Sequence, residues 1–240
     1  MAISRGEIKW VRALHSKKGR KEFKYFIAEG KKCVNEALRS RLTIHKIYSC
    51  NPSELETDVA QQITEKEMEQ ITALATASPH LVVIEIPASD TSFSNNERVV
   101  VLDQISDPGN AGTMIRTADW FGIKNVVMME NSVEWTSTKV VQASMGSVFR
   151  MNIVQFTEED LKSFLSTKNG LVMGADLIGT PMDSAAWSEV NTLIIGSESH
   201  GISTQLKTYC NGFVTINGHG SAESLNAAVA AGILMSHWKP

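Results

Sequence analysis

The stretch DPGNAGTMIRTADWFG, Asp107 to Gly122, decides the fold. It follows the apolar run VVVLDQIS and opens on a Pro-Gly-Asn turn. The turn runs into a segment carrying Arg116 among Ile115, Ala118 and Phe121. A turn at the end of a strand, feeding a helix with Asn and Arg near its start, is how an α/β protein presents polar groups to a ligand. From Arg98 onward the same alternation repeats. The strand-like runs RVVVLD, NVVMME, NIVQF, LVMGAD, TLIIGS and FVTIN are separated by helical stretches near 111–121, 138–147, 158–167, 203–209 and 223–237. This pattern predicts right-handed βαβ crossovers and a mostly parallel sheet covered on both faces, with ligands beyond the carboxyl ends of the strands.

Upstream, residues 4–16 read as a short helix, and YFIAEG, IHKIYSC and HLVVIEIP read as strands rich in Ile, Val and aromatics. KKCVNEALRS and TEKEMEQITALAT have helical apolar spacing. The segment ASDTSFSNNE is polar and aperiodic. The expected organisation is therefore a small α/β domain over 1–87, a linker over 88–97 and a parallel-sheet domain over 98–240.

The chain has 240 residues and a formal net charge of -3, but the charge is uneven. Residues 1–46 hold thirteen Lys and Arg against four Asp and Glu, while the remainder holds ten against twenty-two. A basic segment on an acidic body points to a polyanion partner, RNA or DNA, with a merely solvated basic helix face as the alternative. Lys17, Lys18, Arg20, Lys21 and Lys24 are the residues expected to meet structured RNA, through charge and shape more than base edges. The opening MAISRGEIKW lacks a signal peptide's apolar stretch, and no apolar run approaches the roughly 18 residues of a membrane span. A cytoplasmic protein without membrane contact is expected. Cys33, Cys50 and Cys210 are far apart and lack CxxC spacing, so reduced thiols and no metal site are expected.

Three post-strand turns would share one edge of the parallel sheet: DPGNAGTMIR, GSESHGIS and GHGSAESLNAAVAAGILM. Neither GxGxxG nor GxxxxGK[ST] is present, which argues against a nicotinamide-dinucleotide or P-loop reading. Glu198 follows an apolar strand and reads either as an acceptor for a ribose hydroxyl or as a first-turn acid of the helix starting near Ser203. An N-cap role suits Ser221 better than Asn226, which then sits one turn inside a helix and asks for a local partner. Arg116 reads either as paired with Asp103 or Asp119, or as a clamp for phosphate or alkoxide.

DPGNAGTMIRTADWFG, IIGSESHGIS and VTINGHGSAESLNAAVAAGIL resemble, in order, the three motifs of the SpoU/TrmH group of RNA ribose 2'-O-methyltransferases, within the SPOUT superfamily. FIAEGKKCVNEAL is similar to the motif opening the second strand and helix of the RNA-binding domain many members carry at the amino end. GSVFR, Gly146 to Arg150, is similar to the segment between the first and second motifs. The likeness spans nearly the whole chain. It implies an S-adenosylmethionine-dependent methyltransferase that needs no metal, with a trefoil-knotted carboxyl-terminal domain and a homodimeric assembly. On the matching positions it assigns Asn110 and Arg116 to the catalytic and RNA-facing set. Gly196, Ile216 and Leu225 would cradle the cofactor together with Ala175 and Leu177, and Glu198, Ser224 and Asn226 would complete the site. Arg150 would bind a neighbouring phosphate.

The chain departs from the family where relatives usually carry Pro-Met after the third-motif isoleucine. Here Asn217 and Gly218 stand there, which frees φ. GSESHG also replaces the common GNEGxG. A guanidinium almost never deprotonates in proteins, so Arg116 is expected to act first by lowering the hydroxyl's pKa through its charge. The auxiliary domain favours ribosomal RNA as substrate. A transfer-RNA methyltransferase, or an inactive RNA-binding assembly factor of the same fold, are the alternatives.

Overall fold

The computed structural model describes residues 3–88, 93, 94 and 96–238. Its contacts divide the chain into two compact units, one of residues 1–88 with 134–150, the other of 89–133 with 151–240.

The first unit begins with α1 (Arg5–Ala13) and α2 (Lys17–Phe23), followed by β1 (Tyr25–Glu29), α3 (Lys31–Leu38), β2 (Ile44–Ser49), β3 (Gln61–Gln62), α4 (Glu65–Ile71) and β4 (His80–Glu85). Its four strands lie in the order β1-β4-β2-β3, with β4 antiparallel to both neighbours. Ser4 with Glu7 and Thr64 with Glu67 form reciprocal capping boxes that start α1 and α4. The helical spacing predicted α4 to continue to residue 76, but it stops at Ile71. The fully buried Glu29 carboxylate accepts from Thr72 Oγ1 at 2.5 Å and from the Ala73 N–H at 2.8 Å, pulling the chain out of the helix. Val11, Leu14, Ile27, Tyr48, Met68, Ile71, Leu81 and Val83 form the core on one face of this sheet. On β1 the side chains alternate, and Phe26 meets Trp135 and Phe149 at ring separations of 5.3 and 6.5 Å. The segment 134–150 thus packs with this unit.

One expectation is corrected here. Arg20 is 5% exposed and so is not a surface contact for RNA. Gly19 brings α2 against the end of α1, where an added Cβ would lie 1.9 Å from the Ala13 carbonyl oxygen. That approach buries the guanidinium, which donates to the carbonyls of Leu14 and His15 at 3.1 and 3.0 Å and to Glu134 at 2.6 Å. Lys17, Lys18, Lys21 and Lys24 remain exposed.

The second unit holds β5 (Val99–Leu102), α5 (Pro108–Trp120) and β6 (Asn125–Met129). After α6 (Thr138–Ser144), which is counted with the first unit, come β7 (Asn152–Phe156), α7 (Glu158–Ser166), β8 (Leu171–Pro181), β9 (Val190–Ile195), α8 (Thr204–Lys207), β10 (Gly212–Thr215) and α9 (Ala227–His237). The six strands are parallel, in the order β10-β8-β9-β5-β6-β7. The chain steps outward from β5 to β7 and then crosses to the other side, so the order reverses between β5 and β9. Such a switch point opens a crevice beyond the carboxyl ends of the two strands. Apolar side chains of β5, β6, β7 and β9 pack with Leu161, and Phe93 is buried among them although its segment reads as a polar linker. Residues 89–92 and 95 of that segment lie outside the described residues. The helix predicted from 223 begins at Ala227. Its far end is held by Trp238, fully buried, whose indole N–H donates to the Val190 carbonyl at 2.8 Å. The Trp238 carbonyl in turn accepts from Arg98 Nη1 at 2.8 Å.

Glu7 carries a pH signature. Hydrogen bonds from the Lys46 ammonium at 2.5 Å and from the Ser4 backbone and hydroxyl push its pKa down to about 2. A carboxyl lowered on folding stabilises above its unfolded pKa of about 4.3, and that contribution drains as pH falls through the folded value. Glu7→Gln is expected to cost about 0.5–1 kcal/mol at neutral pH, since the pair is partly solvated. The urea midpoints of variant and parent should converge as pH is lowered from about 5 toward 2.

Candidate active site

Three loops meet at the switch point, all within the second unit. The loop after β5 ends in Asp107, which caps α5 by accepting from the Asn110 N–H at 2.7 Å, while Pro108 pre-sets the first turn. This leaves the Asn110 side chain facing outward, and its Nδ2 donates to Glu198 Oε1 at 2.7 Å.

Glu198 belongs to a tight loop after β9. Ser197 and Gly201 exchange backbone hydrogen bonds of 3.1 and 2.9 Å, and Gly201 takes φ +65°. Gly196 sits beneath this turn, where a Cβ would lie 2.1 Å from the Gly201 carbonyl carbon, so only glycine fits. Asn226 then completes the cluster. Its Nδ2 donates to Glu198 Oε1 at 2.7 Å and to Asn110 Oδ1 at 3.1 Å, and the Ala227 N–H reaches the same Glu198 oxygen at 3.2 Å.

Two sequence readings change here. Asn226, not Ser221, is the N-cap of α9, and its Oδ1 accepts from Ala228 and Val229 N–H at 3.0 and 3.2 Å. Glu198 serves the N-terminus of α9, where a negative charge is favoured, rather than the first turn of α8.

Beside the cluster lies a cavity of about 850 Å³. Ala175, Leu177, Gly196, Glu198, Ile216, Ser224 and Leu225 all line it, bringing together every residue expected to hold the cofactor. Arg116 is different. It is exposed on α5, away from the cavity lining, and no partner is found for it among the described residues. The pairing with Asp103 does not form, because that buried carboxylate accepts from the Ser203 N–H at 2.7 Å. Arg150 belongs to the first unit and donates to Glu36 at 2.6 Å.

The sequence reading missed several polar residues on the cavity wall, Asp176, His200, Lys207 and His219 among them. Asp176 closes the run LVMGAD, so the rule that ligands sit at strand carboxyl ends was the available signal. Lys207 had none, since its position depends on how α8 returns to the sheet. Among the described residues no group of three His, Cys, Asp or Glu is placed to hold a metal ion.

A parallel α/β sheet with a polar cluster and cavity at its switch point defines a protein that binds a small ligand there. Residues 97–236 match the SpoU rRNA Methylase family and residues 6–81 match the MRM3-like substrate binding domain. The chain belongs to the SpoU rRNA methylase family. It is 33% identical over 239 residues to the 23S rRNA (guanosine(2553)-2'-O)-methyltransferase RlmP of Bacillus subtilis, covering 96% of this chain and 95% of that protein. An AdoMet-bound rRNA methyltransferase from Sinorhizobium meliloti superposes with a TM-score of 0.89 at 27% identity, covering 99% of this chain and 97% of the other. The SpoU methyltransferase AviRb from Streptomyces viridochromogenes, solved with AdoMet, shares the fold with a TM-score of 0.88 at 21% identity, over 98% and 97% of the two chains.

Asn226 does two jobs that substitution separates. Asn226→Ala removes both the cap and the clip on Glu198 and is expected to lower stability by about 1–2 kcal/mol. Asn226→Asp keeps the cap acceptor but sets a second carboxylate against Glu198. Its deficit in urea denaturation should therefore be larger at pH 8 than at about pH 5, where one carboxyl can take a proton.

Proposed function

We propose that this protein transfers the methyl group of S-adenosylmethionine to a ribose 2'-hydroxyl in ribosomal RNA, acting in the cytoplasm as a homodimer. In this reading residues 1–87 form the RNA-binding domain, 88–97 the linker and 98–240 a trefoil-knotted methyltransferase domain. The observation that carries the reading is the Glu198 cluster on the wall of a cavity large enough for the donor. Full-length relatives named for ribosomal RNA 2'-O-methylation and AdoMet-bound neighbours support it. The homodimer is supported by Trp120, 84% exposed on α5, and Val229, 52% exposed on α9, the helix packed against it.

The cavity fits the donor. Gly196 leaves the backbone open to close approach, and Ile216, Leu225 and Leu177 offer apolar surface to a base. When bound, S-adenosylmethionine supplies an electrophilic methyl group for in-line attack by the ribose oxygen. The protein must hold that oxygen and manage its proton. Glu198 commits Oε1 to three donors, which leaves Oε2 to receive the ribose hydroxyl. Ser224, on the cavity wall, adds a second polar contact. The role of favouring the developing alkoxide by its charge falls to Arg116 from the family resemblance, since the residue lies outside the cavity lining of its own chain.

The test uses labelled S-adenosylmethionine and total RNA from a strain lacking the gene, followed by mapping of the labelled nucleotide. Label at a ribose of ribosomal RNA is expected; label in transfer RNA would redirect the reading, and donor binding without label would mark an inactive assembly factor. Arg116→Ala should cut incorporation by at least about 100-fold and leave the affinity for S-adenosylhomocysteine unchanged. Unaltered turnover would remove Arg116 from the chemistry.

RNA binding should also depend on salt. Replacing Lys18, Lys21 and Lys24 with Gln is expected to flatten the slope of log affinity against log salt by roughly 0.7–0.9 for each phosphate that the protein no longer neutralises. Arg20→Gln should lower the melting temperature, because its guanidinium is buried and bonded within the fold.

A further inference from the structure

β8 does not run straight along β10. Gly174 pairs with Phe213, yet the next β10 residue, Val214, pairs with Thr180, so residues 175–179 bulge out of the ladder. The bulge forms one wall of the cavity through Ala175, Asp176 and Leu177. Asp176 is held in one orientation. Its Oδ1 accepts from the Ile178 N–H at 3.3 Å, and its Oδ2 accepts from Lys207 Nζ at 2.7 Å. Partial burial works against the carboxylate's charge, but the Lys207 ammonium and the N–H groups of Ile178 and Leu177 outweigh it and hold the pKa below the usual range.

Two other carboxylates line the cavity. Glu198 is tied to Asn110, Asn226 and the start of α9, and Glu223 sits exposed on the loop before that helix. Asp176 is therefore an oriented anionic acceptor on the cavity wall that takes no part in the Glu198 cluster. A carboxylate has about four lone-pair sites, and the bonds from Lys207, Ile178 and Leu177 leave acceptor capacity for one more donor. The polar groups of an adenosine beyond its base are hydroxyl donors, and a carboxylate is their natural acceptor.

We propose that Asp176, oriented by Lys207, accepts a ribose hydroxyl of the methyl donor and so helps select a ribonucleoside in the cavity. This rests on the donor occupying the cavity, as proposed above. Asp176 also orients the bulge through the Ile178 N–H. Asparagine preserves that acceptor while removing the charge, so the two roles can be separated.

The experiment is calorimetric titration with S-adenosylhomocysteine and its 2'-deoxy and 3'-deoxy counterparts, on the full-length protein and on Asp176→Asn. The parent protein should bind one deoxy compound about 10- to 100-fold more weakly than the intact ligand, the range for a hydrogen bond to a charged group. Asp176→Asn, which trades a charged acceptor for a weaker neutral one, should bind the intact ligand more weakly and distinguish it from that deoxy compound by a clearly smaller factor than the parent does. Discrimination undiminished in Asp176→Asn would overturn the assignment. So would a parent protein indifferent to both deletions, an outcome that requires no folded variant. Absence of any binding of S-adenosylhomocysteine to the parent protein would instead overturn the donor reading itself, and this proposal with it.

Discussion

The site depends on one oxygen atom. Glu198 Oε1 accepts from Asn110 Nδ2, Asn226 Nδ2 and the Ala227 N–H, so a single acceptor ties the loop after β9 to α5 and to the start of α9. Hydrogen bonds to an ionised acceptor are shorter and stronger than neutral ones, and this one also sits where the dipole of an eleven-residue helix favours negative charge. Three donors on one oxygen also fix the carboxylate plane, which leaves the other oxygen aimed by geometry rather than by chance. Gly196 is the precondition. With any side chain there the turn carrying Glu198 could not fold back on itself.

The cluster is held from a distance as well. Helix α9 begins at the Glu198 end of β9 and finishes where Trp238 bonds the Val190 carbonyl at the strand's other end. Eleven helical residues span about 17 Å and a six-residue strand about 20 Å, so helix and strand are matched in length and clamped at both termini. Arg98 reinforces the far clamp by donating to the Trp238 carbonyl and lying 5.5 Å from its ring. Shifting the Asn226 backbone away from the cluster would therefore require moving a helix whose other end is buried.

Much of this was legible in the residues. The alternation of apolar runs and helical spacing predicted the parallel sheet, because the central strands β5, β6 and β9 are buried almost throughout and read as continuous apolar runs. The three glycine-bearing turns were legible as one rim once the strands were taken as parallel. What was not legible depends on long-range partners. Asn226 read as a helix-interior residue because nothing local announces that Glu198, 28 residues earlier, completes its bonding. Arg20 read as a surface cation because its partner Glu134 lies 114 residues on, in a segment the alternation assigned to the other domain. Phe93 was hidden in a polar stretch for the same reason: one aromatic among serines and asparagines sinks into a core that the neighbouring sequence does not advertise.

Arginines with and without partners are suited to different work. Arg20 is buried and bonded to Glu134, and Arg150 donates to Glu36, so a phosphate approaching either must compete with a carboxylate already in place. Arg116 has no such competitor among the described residues. It stands six residues after Asn110 on α5, and at about 100° per residue its side chain leaves the helix roughly 240° around from the asparagine that meets Glu198. The helix thus holds one polar group rigidly at the rim and offers a permanent charge on another face. A fixed rim can position a small ligand, whereas an unpaired guanidinium can meet a polyanion without first breaking a bond of its own.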